Sequence, residues 1–524
     1  MRSLAYGRRS SPVSRPRLDG VSILTLDPDL IAALRTDLDR ADYTPDAVEA
    51  LLGPVAAAAL HREMLVPAHR VLIGRREPLA TLIRLLMMGD SVDHADVTAA
   101  LPTLGVAGAL RLGLVAPEGD ALKATCEIAP HAADDRHWWV ASDLSEMVTR
   151  GPLREDHVLG IGGASATLIA WTPRPRVPRA ADIGTGCGVQ ALHLEGHTDE
   201  VVVTDLSARA LGYARFNAAL NSVAWDVRAG SLLEPLAGQR FDLIVSNPPF
   251  VITPRGTGLP TYEYRDGGAE GDAIVGHLVR HLGEHLEPGG IAQLLGNWEI
   301  TSTQDWQARV RGWLAGTGLD AWVVQREVTD PAQYAETWAR DGGHRAGTAD
   351  FEQQYRAWLD DFAARGVEAI GFGVITLQRP AEPRDPFVDL MEATGPVATP
   401  MGPHILAGLR ARTWLATADD DAVLDVAWRA APDVTEERHT RVGESEPSAI
   451  LVRQGGGLGR VYRVDTLGAA LLSVCDGDLT ARAALAAISG LLGVDTAAAT
   501  ADALPLLRDC IANGLLTHPA TPAE

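Results

Sequence analysis

The stretch Asp182-Ile183-Gly184-Thr185-Gly186-Cys187-Gly188 follows the apolar lead Ala180-Ala181 and constrains the fold of this chain more than any other. An apolar strand running into alternating glycines marks a strand-turn-helix unit, where missing side chains permit a tight turn and let a nucleotide-like ligand approach the backbone. About sixty residues later a second apolar run, Phe241-Asp242-Leu243-Ile244-Val245-Ser246, ends on Asn247-Pro248-Pro249-Phe250. Paired prolines cannot continue a central strand, so this run stops there and presents a carboxamide and an aromatic ring at the mouth of the same sheet.

Between and beyond these anchors the pattern alternates. Ala180–Ile183, Val201–Thr204, Asp226–Arg228 and Phe241–Ser246 read as strands, and Gly188–Leu194 and Ala208–Asn221 as helices. Asp272–Leu286 reads as a further helix, Gly290–Gly296 as a fifth strand, and Ala321–Val328 with Ala369–Gln378 as the last pair. Such alternation predicts an α/β, Rossmann-like, doubly wound and mostly parallel sheet of seven strands. Ala332–Arg340 and Ala349–Ala364 form a helical insertion between the last pair, a lid or a rest for substrate.

At 524 residues the chain exceeds one core, and about 150 residues per domain predicts several units. Residues 1–20 read as a disordered basic tail and 21–150 as a helical domain. In the latter, the order helix, helix, hairpin over Ser91–Leu101, Val106–Leu112 and Leu114–Ile128 is similar to a winged helix. The α/β domain takes 151–380, with its insertion at 331–365. A C-terminal α+β accessory domain takes 381–524, and there Leu471–Leu515 is similar to small peptide-binding winged-helix domains.

Charge narrows the partners. With 46 basic and 68 acidic residues the net charge is −22, so the surface as a whole repels a phosphate backbone, and a nucleic-acid substrate needs a local basic face. Cys126, Cys187, Cys475 and Cys510 lack paired metal spacing, which fits a reducing cytoplasm. No apolar run approaches the roughly 18 residues of a membrane span.

The candidate chemistry gathers in the two anchors. In the turn Gly184, Gly186 and Gly188, backbone amides and the helix start are expected to face the polar tail of the ligand. An NAD-type dehydrogenase turn is the competing reading. Asp205, closing Val201-Val202-Val203-Thr204, stands where an acid accepts ribose hydroxyls; its alternative is a helix cap. Two acceptors, the Asn247 side-chain oxygen and the Pro248 carbonyl, suit a planar N–H2 group whose lone pair is delocalised. Pro248 and Pro249 stiffen that geometry, and Phe250 offers a ring to stack on a flat substrate.

Residues about 157 to 300 resemble the Rossmann-like S-adenosylmethionine-dependent methyltransferases. More narrowly, they resemble the branch with an Asn-Pro-Pro-aromatic motif, which holds release-factor glutamine, ribosomal RNA guanine-N2 and adenine-N6 DNA methyltransferases. The resemblance implies that Asp182, Gly184, Gly186 and Gly188 border S-adenosylmethionine, that Asp205 binds its ribose, and that Asn247 to Phe250 receive the target nitrogen. Where that family carries an acid for the adenine amino group, Ala229-Gly230-Ser231-Leu232 offers Ser231. The run Tyr262 to Asp272 is similar to the glycine-rich stretch that follows the motif in the glutamine-methylating branch, and puts Tyr264 and Arg265 near substrate.

Two further features stand apart. His277, His281 and His285 recur every four residues along one side of a helix; this reads as a solvated face rather than a metal site. Trp138 and Trp139 read as core rather than as a cap on the cleft. Three functions follow: N-methylation of a protein or peptide amide, which overall acidity favours; the same chemistry on an RNA or DNA base; and a non-catalytic cofactor-binding scaffold, which has no need of Asn247 and Pro248.

Overall fold

The computed structural model describes residues 24–133, 136–149, 153–255, 262–342, 344 and 346–518. The expected basic tail lies outside the described residues. Eight strands form the central sheet: β1 Val177–Ile183, β2 Thr198–Asp205, β3 Trp225–Ala229, β4 Phe241–Ser246, β5 Leu286–Thr301, β6 Asp320–Thr329, β7 Val367–Gln378 and β8 Val388–Glu392. Their spatial order is β8-β6-β7-β5-β4-β1-β2-β3. Strands β5, β4, β1, β2 and β3 run parallel, as do β6 and β8, while β7 is antiparallel to both of its neighbours. Seven match the sequence expectation. The eighth, Val388-Asp389-Leu390-Met391-Glu392, is a short mixed edge strand behind Pro380, Pro383 and Pro386, with no apolar run to announce it.

This order places the site. Chain connections leave β1 toward β2 on one side and β4 toward β5 on the other, so a crevice opens beyond the carboxyl ends of β1 and β4. Ile183 pairs with Ser246, and the glycine turn and the Asn-Pro-Pro-Phe motif therefore depart from adjacent strands at one level. Ala180, Ala181, Ile183 and Leu243 to Ser246 are buried, as central parallel strands require.

Helices Pro28–Arg40 and Pro45–Leu60 open the N-terminal region, each with proline in its first turn and a side-chain cap, Asp27 on the Leu30 amide and Thr44 on the Ala47 amide. Shorter helices follow, then a three-stranded sheet in the order Val92–Asp93, Ala121–Ala124, Val115–Glu118, and a hairpin of Glu127–Ala133 with Arg136–Ser142. Leu34, Leu38, Trp138 and Trp139 share one core with Tyr213, Phe216 and Leu220 of the helix Ala208–Leu220. Asn217 of that helix and Asn221, which caps its C-terminal end, extend the hairpin's hydrogen bonding: their Oδ1 atoms accept from the Ala141 and Trp139 amides, and their Nδ2 atoms donate to the carbonyls of the same residues, all at 2.8–2.9 Å. Two carboxamides thus stand in for a missing strand.

The expected helix Asp272–Leu286 is shorter, Ala273–His281, followed by a tighter turn over Leu282–His285. That change of pitch separates the histidine row. His277 and His281 remain neighbours, with ring centroids 4.4 Å apart, whereas the His285 ring is buried 3.3 Å from the Gln239 carbonyl. The insertion comprises helices Pro331–Asp341 and Ala349–Arg365. Beyond β8, the helix Gly402–Leu415 docks on the sheet through Ile405, Leu409 and Arg412, whose guanidinium lies 3.7 Å from the centre of the Trp322 ring. The remaining C-terminal helices and the three strands Val434–Thr440, Pro447–Gln454 and Val461–Val464 enclose a separate core. Among the described residues no helix is long and apolar enough to cross a membrane.

Candidate functional site

A cavity of about 290 Å³ lies at the switch point. Of the residues singled out in the sequence, Gly184, Gly186, Asp205, Ser231, Asn247, Pro248, Pro249 and Tyr264 line it. Asp182, Gly188 and Phe250 do not.

Gly184, Gly186 and Gly188 adopt φ of 70°, 56° and 88°, in the left-handed region that costs other residues about 1–2 kcal/mol. The turn does not aim its amides at the cavity as expected. Gly184 and Thr185 donate to the Thr204 carbonyl at 2.9 Å, Gly186 to Asp205 Oδ2 at 2.9 Å, and Gly188 to the Thr185 carbonyl at 2.8 Å. The end of strand β2 takes up the first three of these donors, and Thr185 takes the fourth. Gly188 sits under the Trp225 ring, where a Cβ would meet it at 2.6 Å. Asp182 lies fully buried beneath the turn and accepts from Thr185 Oγ1 at 2.6 Å. Burial pushes its carboxyl up to about 7. Asp182 therefore supports the turn rather than lining the cavity.

Asp205 stands at the end of β2 on the cavity wall. Its Oδ2 accepts from the Gly186 amide at 2.9 Å and its Oδ1 from the Ser207 amide at 2.8 Å. Burial raises its carboxyl above the usual range, and these two amides oppose the rise. A carboxylate has about four acceptor sites, so two remain for a pair of vicinal hydroxyls. Thr204 also lines the cavity, and its hydroxyl is buried with no hydrogen-bond partner.

Ser246 donates its hydroxyl to the Ile183 carbonyl at 2.9 Å and locks the two strand ends together. Next to it, Asn247 Oδ1 is buried and takes no hydrogen bond. A buried unpaired acceptor costs about 1–3 kcal/mol, which marks it as a place for an incoming donor. Phe250 departs from expectation. Its ring turns into the core at 5.6 Å from Phe372 and 6.5 Å from Trp338, because β7 and the insertion supply an aromatic pocket there. It does not stack over the cavity.

The stretch after the motif folds back over it. Phe250 bridges Asp266, and Gly267 presses on the Pro249 carbonyl, which a Cβ would approach to 2.9 Å. Tyr264 forms part of the wall, whereas Arg265 is buried and bonded to the insertion rather than facing the cavity. The sequence reading missed His157, which lines the cavity and whose imidazole burial holds below its ordinary pKa. Behind it, Asp143 pairs with Arg209 and accepts from Tyr213 at 2.7 Å, tying the segment before the turn to the helix Ala208–Leu220. No short motif signals these residues; only the fold brings them together. Cys187 lines the cavity too, and burial pushes its thiol up to about 12, far from a nucleophile. Among the described residues no group of three metal-binding side chains converges.

Residues 160–307 match a family described as the methyltransferase small domain, and two domains of unknown function match residues 40–125 and 407–518. A release factor glutamine methyltransferase of Deinococcus radiodurans is 32% identical over 273 residues, covering 44% of this chain and 96% of that protein. A ribosomal RNA small subunit methyltransferase C of Sodalis glossinidius is 29% identical and covers 31% of this chain, but only 43% of its own length is matched. Among solved structures, a 16S rRNA N2 methyltransferase of T. thermophilus in complex with AdoMet and guanosine is 18% identical, covering 49% of this chain and 68% of that one at a TM-score of 0.28. The chain belongs to the Rossmann-like S-adenosylmethionine-dependent methyltransferases, and it carries the sequence Asn247-Pro248-Pro249-Phe250. It is an enzyme, and S-adenosylmethionine is its cofactor.

Proposed function

We propose that this enzyme methylates a side-chain amide nitrogen of a protein or peptide. One observation carries the reading: Asn247 lines the cavity beside the glycine turn, and its Oδ1 is buried without a hydrogen-bond partner. Support for a protein over a nucleic acid comes from the wall itself, which among the described residues includes Asp205, Glu263 and Asp266 and neither arginine nor lysine. A polyanion would meet repulsion there. The glutamine methyltransferase relative, matched over nearly its whole length, points the same way.

The donor set suits the cofactor. Asp205 has acceptor capacity for the two ribose hydroxyls, Ser231 and the Thr204 hydroxyl offer polar contacts nearby, and the glycine turn leaves room over the backbone. Bound S-adenosylmethionine supplies an electrophilic methyl group on a sulfonium. The chain's own residues do the positioning: Asn247 Oδ1 accepts one N–H of the acceptor and the Pro248 carbonyl the other. This orients the lone pair and stabilises the positive charge that develops on nitrogen. Asn247 to Pro249 are held by the Ser246–Ile183 bond on one side and by Gly267 on the other.

Asn247→Ala tests the reading: transfer should fall about 10²-fold or more while cofactor affinity, read by calorimetry, stays near wild type. Full turnover on the true acceptor would remove Asn247 from its role. Labelled cofactor with cell extract treated separately with protease and nuclease identifies the acceptor class. Label that resists protease and vanishes with nuclease would replace the amide by a nucleobase, as in the ribosomal RNA relative. We further infer a cytoplasmic location, consistent with four free buried cysteines, and a winged-helix N-terminal domain that serves packing rather than base reading, since its core is continuous with the helix Ala208–Leu220.

A further inference from the structure

The insertion outside the matched family segment reaches the cavity through one carboxylate. Tyr264 lines the cavity, and its hydroxyl donates to Asp341 Oδ2 at 2.7 Å. Asp341 ends the insertion helix Pro331–Asp341, whereas the family match stops at residue 307. The same oxygen accepts from Arg265 Nη1 at 2.9 Å. That guanidinium also donates to the Trp338 carbonyl at 2.6 Å and lies 4.5 Å from the centre of the Tyr262 ring. Both side chains of the dipeptide Tyr264-Arg265 therefore end on the last turn of one insertion helix. With Phe250 withdrawn into the core, the aromatic rings left on the wall among the described residues are Tyr264 and the His157 imidazole, their centroids 6.1 Å apart.

We propose that Asp341 is a positioning residue for the acceptor: it fixes the Tyr264 ring as the surface against which the flat amide lies, so the insertion sets acceptor selection. This rests on the amide-methylation reading. Asp341 touches neither reactant; it acts through Tyr264, and a ring allowed to drift by an ångström weakens acceptor placement without touching the cofactor.

The test uses the full chain with a glutamine-bearing peptide and labelled cofactor. Asp341→Ala should raise the acceptor KM about ten-fold, with kcat and cofactor Kd changed less than about two-fold. Asp341→Asn keeps an oxygen that accepts from the tyrosine hydroxyl and should restore KM. Tyr264→Phe should reproduce Asp341→Ala, and the double variant should be no worse than either single one. An unchanged KM, a parallel loss of cofactor affinity, no rescue by asparagine, or additive effects would each overturn the proposal. Absence of wild-type turnover on every amide acceptor would sink the amide reading instead. Hydrogen exchange over residues 262–268 then decides the clamp: faster exchange in Asp341→Ala but not in Asp341→Asn supports it, and equal exchange refutes it.

Discussion

Single side chains carry the chemistry, and their contacts divide them into two groups. Asn247, on the cavity wall, and Asp182, beneath the turn, each keep one buried oxygen without a partner, but Asp182 spends its other oxygen on Thr185 and does not line the cavity. Both stood out equally in the sequence, because a motif reports residue type and spacing but not which way a side chain faces. Asp205 belongs to both groups, bracing the turn through Gly186 and facing the cavity. Asp205→Ala should therefore weaken cofactor binding first, by about ten- to a hundred-fold in Kd, with a smaller change in kcat at saturating cofactor. Calorimetry and saturation kinetics on the same preparation check this; unchanged affinity would contradict the ribose assignment.

At the scale of elements, two joints place the site. One is the pair Asn217 and Asn221, on and just after the last turn of the helix Ala208–Leu220. Asn217 bonds the Ala141 amide and carbonyl and also donates to the Cys187 carbonyl at 2.7 Å, so it couples the hairpin to the glycine turn. Asn217→Ala should cost about 3 kcal/mol in denaturant melts, since it leaves several buried groups unpaired, and loss below about 1 kcal/mol would show that the joint is dispensable. The second joint is Gly267, where an added methyl would overlap Ile274 at 1.7 Å as well as crowd the Pro249 carbonyl. Gly267→Ala should cut kcat by about ten-fold or more with the fold retained, because the backbone it displaces is the acceptor loop. Most strands and helices were legible from periodicity. The exceptions include β8, the helices Gly163–Trp171 and Trp306–Leu314, the strand Val434–Thr440, and the helix that gives way to a tight turn at Leu282.

For the whole molecule, the N-terminal hairpin meets the helix Val189–Leu194 of the α/β domain at a histidine pair. His131 and His193 place their Nε2 atoms 2.8 Å apart, and burial, with His131, Arg174 and His197 nearby, holds the His193 imidazole down to about 3. A histidine with a depressed pKa is neutral when folded and binds a proton when unfolded. Stability from this pair is therefore present above the ordinary histidine value of 6.5 and declines as pH falls from there toward 3. Melts of wild type and His193→Leu across pH 7.5 to 4.5 check the sign: the wild type should lose more stability on acidification, and parallel curves would refute the account.

What the sequence determined by itself was the α/β architecture, the cofactor class and most of the singled-out residues that line the cavity. Those depend on local order: apolar periodicity, a glycine turn and two prolines act through nearest neighbours along the chain. What only the tertiary structure decided was orientation and company. Phe250 leaves the cavity because Trp338 and Phe372 surround it, Tyr264 stays because Asp341 holds it, and His157 arrives from a segment without a motif. Each depends on contacts between residues far apart in the chain, and such contacts exist only once the sheet, the insertion and the N-terminal hairpin have packed.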